Sequence, residues 1–250
     1  MHFLRSTFAC LGLTCMMGTA AAAGPIQTLY DGNGSPVDQG WALGSIAGAA
    51  AGTQIAHDGA TEFITVNDTA FTSQSYLFKY DTASTNYIAS LRLQVVSSSY
   101  NPLDAAITFN PFGNQVLASD SRANTFMIGN GIVLWGDEKG GSVSLNTSVF
   151  HDYELRYNAG QLSLYIDASF ADIASGSATA ALSRTVAASI AANQGYLIWG
   201  DATNDRDYNS DYIVDNVRFQ NLQAAPVPEP SILMMLGLGL GVLMLRRSRR

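Results

Sequence analysis

Cysteine is nearly absent from this 250-residue chain. The two that occur, Cys10 and Cys15, fall in a stretch composed like a secretory signal peptide: Arg5 near the start, an apolar run Phe8–Met17, and Ala21-Ala22-Ala23 before Gly24. Neither has the leucine-like residue three positions earlier that a lipoprotein anchor needs; Thr7 and Gly12 stand there. With residues 1–23 removed no cysteine remains, which excludes a disulfide framework and a thiol nucleophile.

Basic residues are also scarce. Without Arg5, the four terminal arginines and Glu229, eight basic residues face nineteen acidic ones, a net charge of −11. Such a balance repels nucleic acid and anionic lipid, and suits divalent cations or neutral glycans better. Histidine is reduced to His57 and His151 after the leader, and no Gly-x-Ser-x-Gly turn occurs, so a Ser-His-Asp hydrolase is excluded. His151 reads as structural and His57 as an exposed residue before a turn.

Helical apolar periodicity is missing from nearly the whole chain. Short alternating runs between Gly, Asn, Asp and Ser turns replace it, and these argue for β-strands. Expected strands are Thr53–His57, Glu62–Val66, Ser75–Tyr80, Tyr87–Val96, Ala105–Phe109, Thr125–Trp135, Phe150–Tyr157, Gln161–Asp167, Gly195–Gly200 and Asp211–Gln220. Tyr157-Asn158-Ala159-Gly160-Gln161 reads as a hairpin turn, and Leu91, Leu93 and Val95 share one face. Asp31–Pro36 reads as a linker, Ile46–Gly52 as a loop, and Arg184–Asn193 as a short helix. The sum is an all-β fold, a β-sandwich or jelly roll, over residues 24–222.

Long apolar runs are equally few. One is Ser231–Leu245, preceded by a 223–230 linker with Pro228-Glu229-Pro230 and followed by Arg246-Arg247-Ser248-Arg249-Arg250. At about 1.5 Å rise per residue the run is short for a ~30 Å bilayer core, a gap that snorkelling arginines and local thinning close. The arginines mark the cytoplasmic end. This order of parts resembles the PEP-CTERM sorting signal of exported bacterial proteins. The resemblance implies recognition by an exosortase, anchoring in the inner membrane until processing, and a final place at the cell surface or in the extracellular matrix.

A second resemblance rests on Phe150–Tyr157, Leu162–Asp167, Tyr196–Asp201 and Asp211–Phe219, which are similar to the C-terminal half of concanavalin A-like (laminin G-like) jelly rolls. That superfamily holds lectins, adhesion modules and glycoside hydrolases, so fold does not decide function. Its β-glucanases carry Glu-x-Asp-x-x-Glu on one strand; here Glu62, Glu138 and Glu154 lack such partners, and adjacent Asp137 and Glu138 fall on opposite faces. No catalytic residue is expected.

Two motifs carry candidate sites. Ile132–Asp137 and Tyr196–Asp201 both end in Trp-Gly-Asp, so Trp135, Trp199 and Asp137 read either as a sugar-stacking platform or, for the tryptophans, as core packing. In Asp201–Asp211 the oxygens of Asp201, Asp205, Asp207, Asn209 and Asp211 suit calcium, the competing reading being a solvated acidic turn. The expected function is a non-catalytic, glycan-binding or adhesive surface protein, with a carbohydrate-active enzyme or a purely structural matrix component as alternatives.

Overall fold

The computed structural model describes residues 23–44, 52–65, 74–80, 84–99, 107–111, 124–186, 195–201 and 209–223. They belong to one compact unit, Ala23–Ala224. The signal peptide, the Pro-Glu-Pro linker, the Ser231–Leu245 run, the basic end, Asp205 and Asp207 lie outside the described residues.

In chain order the strands are β1 (Gln27–Tyr30), β2 (Ala42–Gly44), β3 (Thr53–His57), β4 (Ala60–Thr65), β5 (Gln74–Lys79), β6 (Asn86–Ser98), β7 (Ile107–Asn110), β8 (Phe126–Gly129), β9 (Ile132–Trp135), β10 (Ser142–Ser144), β11 (His151–Asn158), β12 (Gln161–Ile166), β13 (Leu182–Thr185), β14 (Tyr196–Asp201) and β15 (Ser210–Asn221). Among the described residues a 3-10 turn, Pro36–Gln39, and an α-helix, α1 (Phe170–Ser175), join them. All ladders are antiparallel. One sheet runs β13-β12-β11-β6-β15-β4-β3 with β1 beside β15; the other runs β10-β9-β8-β7-β14-β5-β2. The all-β sandwich expected from sequence is what forms.

Alternation places the core. On β6, Tyr87, Ala89, Leu91, Leu93 and Val95 are buried against the facing sheet, while Arg92 and Gln94 lie on the outer face. β15 keeps its phase over twelve residues only through an irregularity between Val214 and Asn216, which lets Tyr212, Val214, Val217 and Phe219 all face inward.

The hairpin at Tyr157–Gln161 forms with Ala159 and Gly160 at φ 46° and 93°, the paired positive dihedrals of a type I′ turn. The run Thr125–Trp135, read as one strand, is a hairpin. Gly131 at φ 75° turns the chain, so β8 and β9 pair from Gly129↔Ile132 to Phe126↔Trp135. The helix expected from Arg184 does not begin there, because Leu182–Thr185 pairs with β12 as an edge strand. Residues 187–193 of that expected helix lie outside the described residues. A described helix lies earlier, where Ser169 caps Asp172 N–H and Gly176 closes the C-terminus at φ 80°. Phe170 and Ile173 seat it on Ile88 and Tyr165 of the outer sheet face.

Candidate functional site

The two Trp-Gly-Asp motifs fall on β9 and β14 of one sheet, with β8 and β7 between them. Register sets Tyr76, Trp199, Phe109, Phe126 and Trp135 in one row across β5, β14, β7, β8 and β9. The whole row faces inward. Trp135 and Trp199 are each 0% exposed, and Trp199 meets Tyr76, Phe63, Tyr30 and Trp41 at ring distances of 4.9–5.8 Å. The sugar-platform reading of the tryptophans is therefore corrected: strand parity aims both into the core, and the core-packing alternative holds. Asp137 is likewise occupied. Both its oxygens accept from Arg184 Nη1 at 3.1 Å, and that guanidinium lies 4.1 Å over the Trp135 ring.

The acidic loop separates its ends. Asp201 is fully buried, with Oδ2 accepting from Ser210 Oγ at 2.8 Å and from Thr65 Oγ1. Asp211, one residue beyond Ser210, points to the opposite face of β15. The two carboxylates cannot share one cation, which corrects the five-residue calcium set. Asn209 pairs through its backbone with Ser99. Among the described residues no group of three or more His, Cys, Asp or Glu side chains is placed to hold a metal.

Asp211 instead meets a residue 149 positions away in sequence. It lies opposite Ile64, one step along the ladder from Ile213↔Glu62, so Asp211 and Glu62 are same-face diagonal neighbours. Asp211 Oδ1 is buried without a hydrogen-bond partner on that face, beside the Glu62 carboxyl. Burial, then Glu62, raises the Asp211 carboxyl to about 6. His57 Nε2 sits 2.7 Å from Glu62 Oε2. Cross-strand register, not spacing along one strand, creates this His57–Glu62–Asp211 group.

Glu154 is a second carboxyl that sequence left unmarked. At 1% exposure, it lies on the outer face of β11 and accepts the Ala168 N–H at 3.3 Å. Burial lifts it to about 8, with Asp152 and Asp167 adding like charge. His151 is structural as expected, bridging Asp167 Oδ2 at 2.6 Å and the Asn146 carbonyl at 3.0 Å.

The outer face of the β10–β2 sheet has a different chemistry. Gly44, Ser75, Gly200, Thr108, Met127, Leu134 and Ser142 form one row across its seven strands, and none carries a carboxylate. At one end of that face Tyr196 is 36% exposed and stands opposite Lys79, itself exposed. Tyr196 alternates with inward Leu197, so its ring is on the solvent side.

Residues 226–250 match the model of the PEP-CTERM protein-sorting motif. The motif marks the chain as an exported exosortase substrate, anchored in the membrane before cleavage and then placed at the cell surface. No curated protein matches the chain. Solved structures similar to it include LamAcat from Zobellia galactanivorans, at 15% identity over 80% of this chain and 98% of that one, TM-score 0.46. The VIP36 exoplasmic/lumenal domain in its Ca2+-bound form is 10% identical over 80% and 90%, TM-score 0.43. An endo-1,3-beta-glucanase (laminarinase) catalytic domain from Thermotoga petrophila RKU-1 is 11% identical over 81% and 98%, TM-score 0.46.

Proposed function

We propose that the mature protein is a non-catalytic surface or matrix component whose concanavalin A-like jelly roll binds an extracellular polysaccharide or surface glycan. The observation that carries this reading is the Tyr196–Lys79 pair, both exposed on the outer face of the β10–β2 sheet. An exposed ring offers a stacking face for a sugar, and a neighbouring ammonium adds attraction for a carboxylated or sulfated one. Most other carboxylates described are engaged in holding the fold: Asp137 by Arg184, Asp152 by Arg92 and Arg218, Asp167 by His151, and Asp201 by two hydroxyls. Exosortase and, before processing, the membrane are the partners of the tail. Calcium belongs to this proposal only through Asp205 and Asp207, outside the described residues, with Asp201 or Asp211 but not both.

One observation favours a carbohydrate-active enzyme as second reading: Glu62 and Asp211 are diagonal neighbours on one sheet face, with His57 Nε2 2.7 Å from Glu62 Oε2. A single panel separates the readings. The secreted protein is applied to a glycan array and incubated with the same polysaccharides. Binding that falls at least tenfold in Tyr196→Ala, with no product release, supports the first reading. Release of reducing ends or unsaturated sugars that disappears in Glu62→Gln and Asp211→Asn establishes the second. Neither binding nor release points to a purely structural matrix component.

A further inference from the structure

Five described strands have a single ladder partner: β1, β3 and β13 in one sheet, β10 and β2 in the other. Sheet edges expose unpaired backbone groups, and natural proteins blunt them with lysine, proline, bulges, very short strands or a covering side chain. Four of the five edges follow this practice. β10 and β2 are three residues each, β1 is broken by an irregularity between Thr28 and Tyr30, and β13 carries Arg184, which reaches across to Asp137. The exception is β3. It is the longest of the five at five residues, Thr53-Gln54-Ile55-Ala56-His57, and every one of them is exposed. It has no lysine, no proline and no carboxylate, in a mature chain of net charge −11.

The direction of its free groups follows from the adjoining turn. Asp58-Gly59 is a two-residue connection with His57↔Ala60 as the closing pair. In such hairpins the closing pair exchanges hydrogen bonds, and bonded and non-bonded pairs then alternate. His57, Ile55 and Thr53 therefore aim their backbone groups at β4. Gln54 and Ala56 aim theirs outward.

Ile55 lies between those two outward positions and is 41% exposed. A two-fold axis through Ile55 sets Gln54 opposite Ala56 of an identical strand, which closes four main-chain hydrogen bonds. It also sets Ile55 against Ile55 at a close non-bonded pair, and Thr53 against His57. No like charges meet, although any two copies carry strong mutual repulsion elsewhere. The strand is self-complementary under this symmetry.

We infer that β3 is a homotypic docking edge, which joins a second copy of this chain antiparallel and in register about Ile55 into one continuous sheet. The inference goes beyond the glycan reading and does not depend on it. Its strength depends on salt, because screening relieves the acidic repulsion that opposes association.

The cysteine-free mature chain allows a direct test. Secreted protein carrying Ile55→Cys is oxidised and compared with Val96→Cys, an exposed control at 46%. Expected is a disulfide-linked dimer at least tenfold enriched over the control. Sedimentation of the uncrosslinked protein shows association that strengthens with salt and is lost in Ala56→Pro. Proline there removes an outward N–H and spares the β4 ladder, so an unchanged far-UV spectrum and Tm keep the variant interpretable. Equal crosslinking of the two cysteines, or association unaltered in folded Ala56→Pro, overturns the inference, as does capture of another protein's strand with no self-association.

Discussion

Trp199 and Trp135 stand in the same row of one sheet, separated by Phe109 and Phe126, and both are sealed from solvent. Trp199 is the centre of the larger aromatic cluster, in contact with four other rings. Trp199→Ala is expected to destabilise the domain by about 3–5 kcal/mol, the usual range for emptying a buried aromatic site. Urea denaturation measures it. Any glycan affinity lost in this variant then tracks the unfolded fraction, whereas Tyr196→Ala loses affinity at constant Tm.

The hairpin at Ala159 offers a gain in stability. Ala159 holds φ 46°, a conformation that asparagine and glycine accept with less strain than alanine. Its N–H reaches the Thr85 carbonyl at 2.9 Å, so the backbone must stay in place. Ala159→Asn is expected to stabilise by about 0.5–1 kcal/mol. An unchanged or lower urea midpoint would show that the turn carries no strain.

Sequence made the strands legible because their parity is local: Leu91, Leu93 and Val95 bury one face as the alternation requires. It could not separate a long strand from a tight hairpin at Asn130-Gly131, because both flanks are apolar. Nor could it choose between stacking and packing for Trp135 and Trp199, since strand parity depends on which sheet face is covered. The Glu62–Asp211 pair was invisible for a different reason. It arises from the β4–β15 register, which joins residues from opposite ends of the domain. Glu154 hid in a solvent-facing position of β11 that α1 and its flanking segment later cover.

The position of Asp211 bears on calcium. Because Asp201, on β14, is sealed in the core beside Ser210 while Asp211 lies on the other face of β15, no ion takes both. Isothermal titration of Asp211→Asn and Asp201→Asn is expected to leave any calcium heat of the native protein intact in at least one of them. Loss in both folded variants would show that the loop can bring the two carboxylates together. Asp211→Asn also removes a titrating group. The Asp211 carboxyl is raised in the folded state, so the native protein loses stability as pH climbs from about 4 through about 6. The variant's Tm profile is expected to be flatter across that window.

Glu154 produces the larger pH effect, and its sign follows from linkage. Buried at 1% exposure, its carboxyl keeps a proton up to about pH 8, while in the unfolded chain it ionises near its ordinary value of 4.5. Between those two values the native state binds the extra proton, so the folded form is favoured at low pH and loses ground as pH rises. The slope is about 1.4 kcal/mol per pH unit for one such group. Glu154→Gln keeps an acceptor for the Ala168 N–H and removes the ionisation, so its unfolding free energy should be nearly flat in this contribution from pH 5 to 8. Native and variant are expected to converge at pH 4–5 and to separate progressively above it, with the variant more stable at pH 8. Denaturation at four pH values decides this. Parallel curves would mean that water reaches the carboxyl and that the segment from Ala168 through α1 does not seal it.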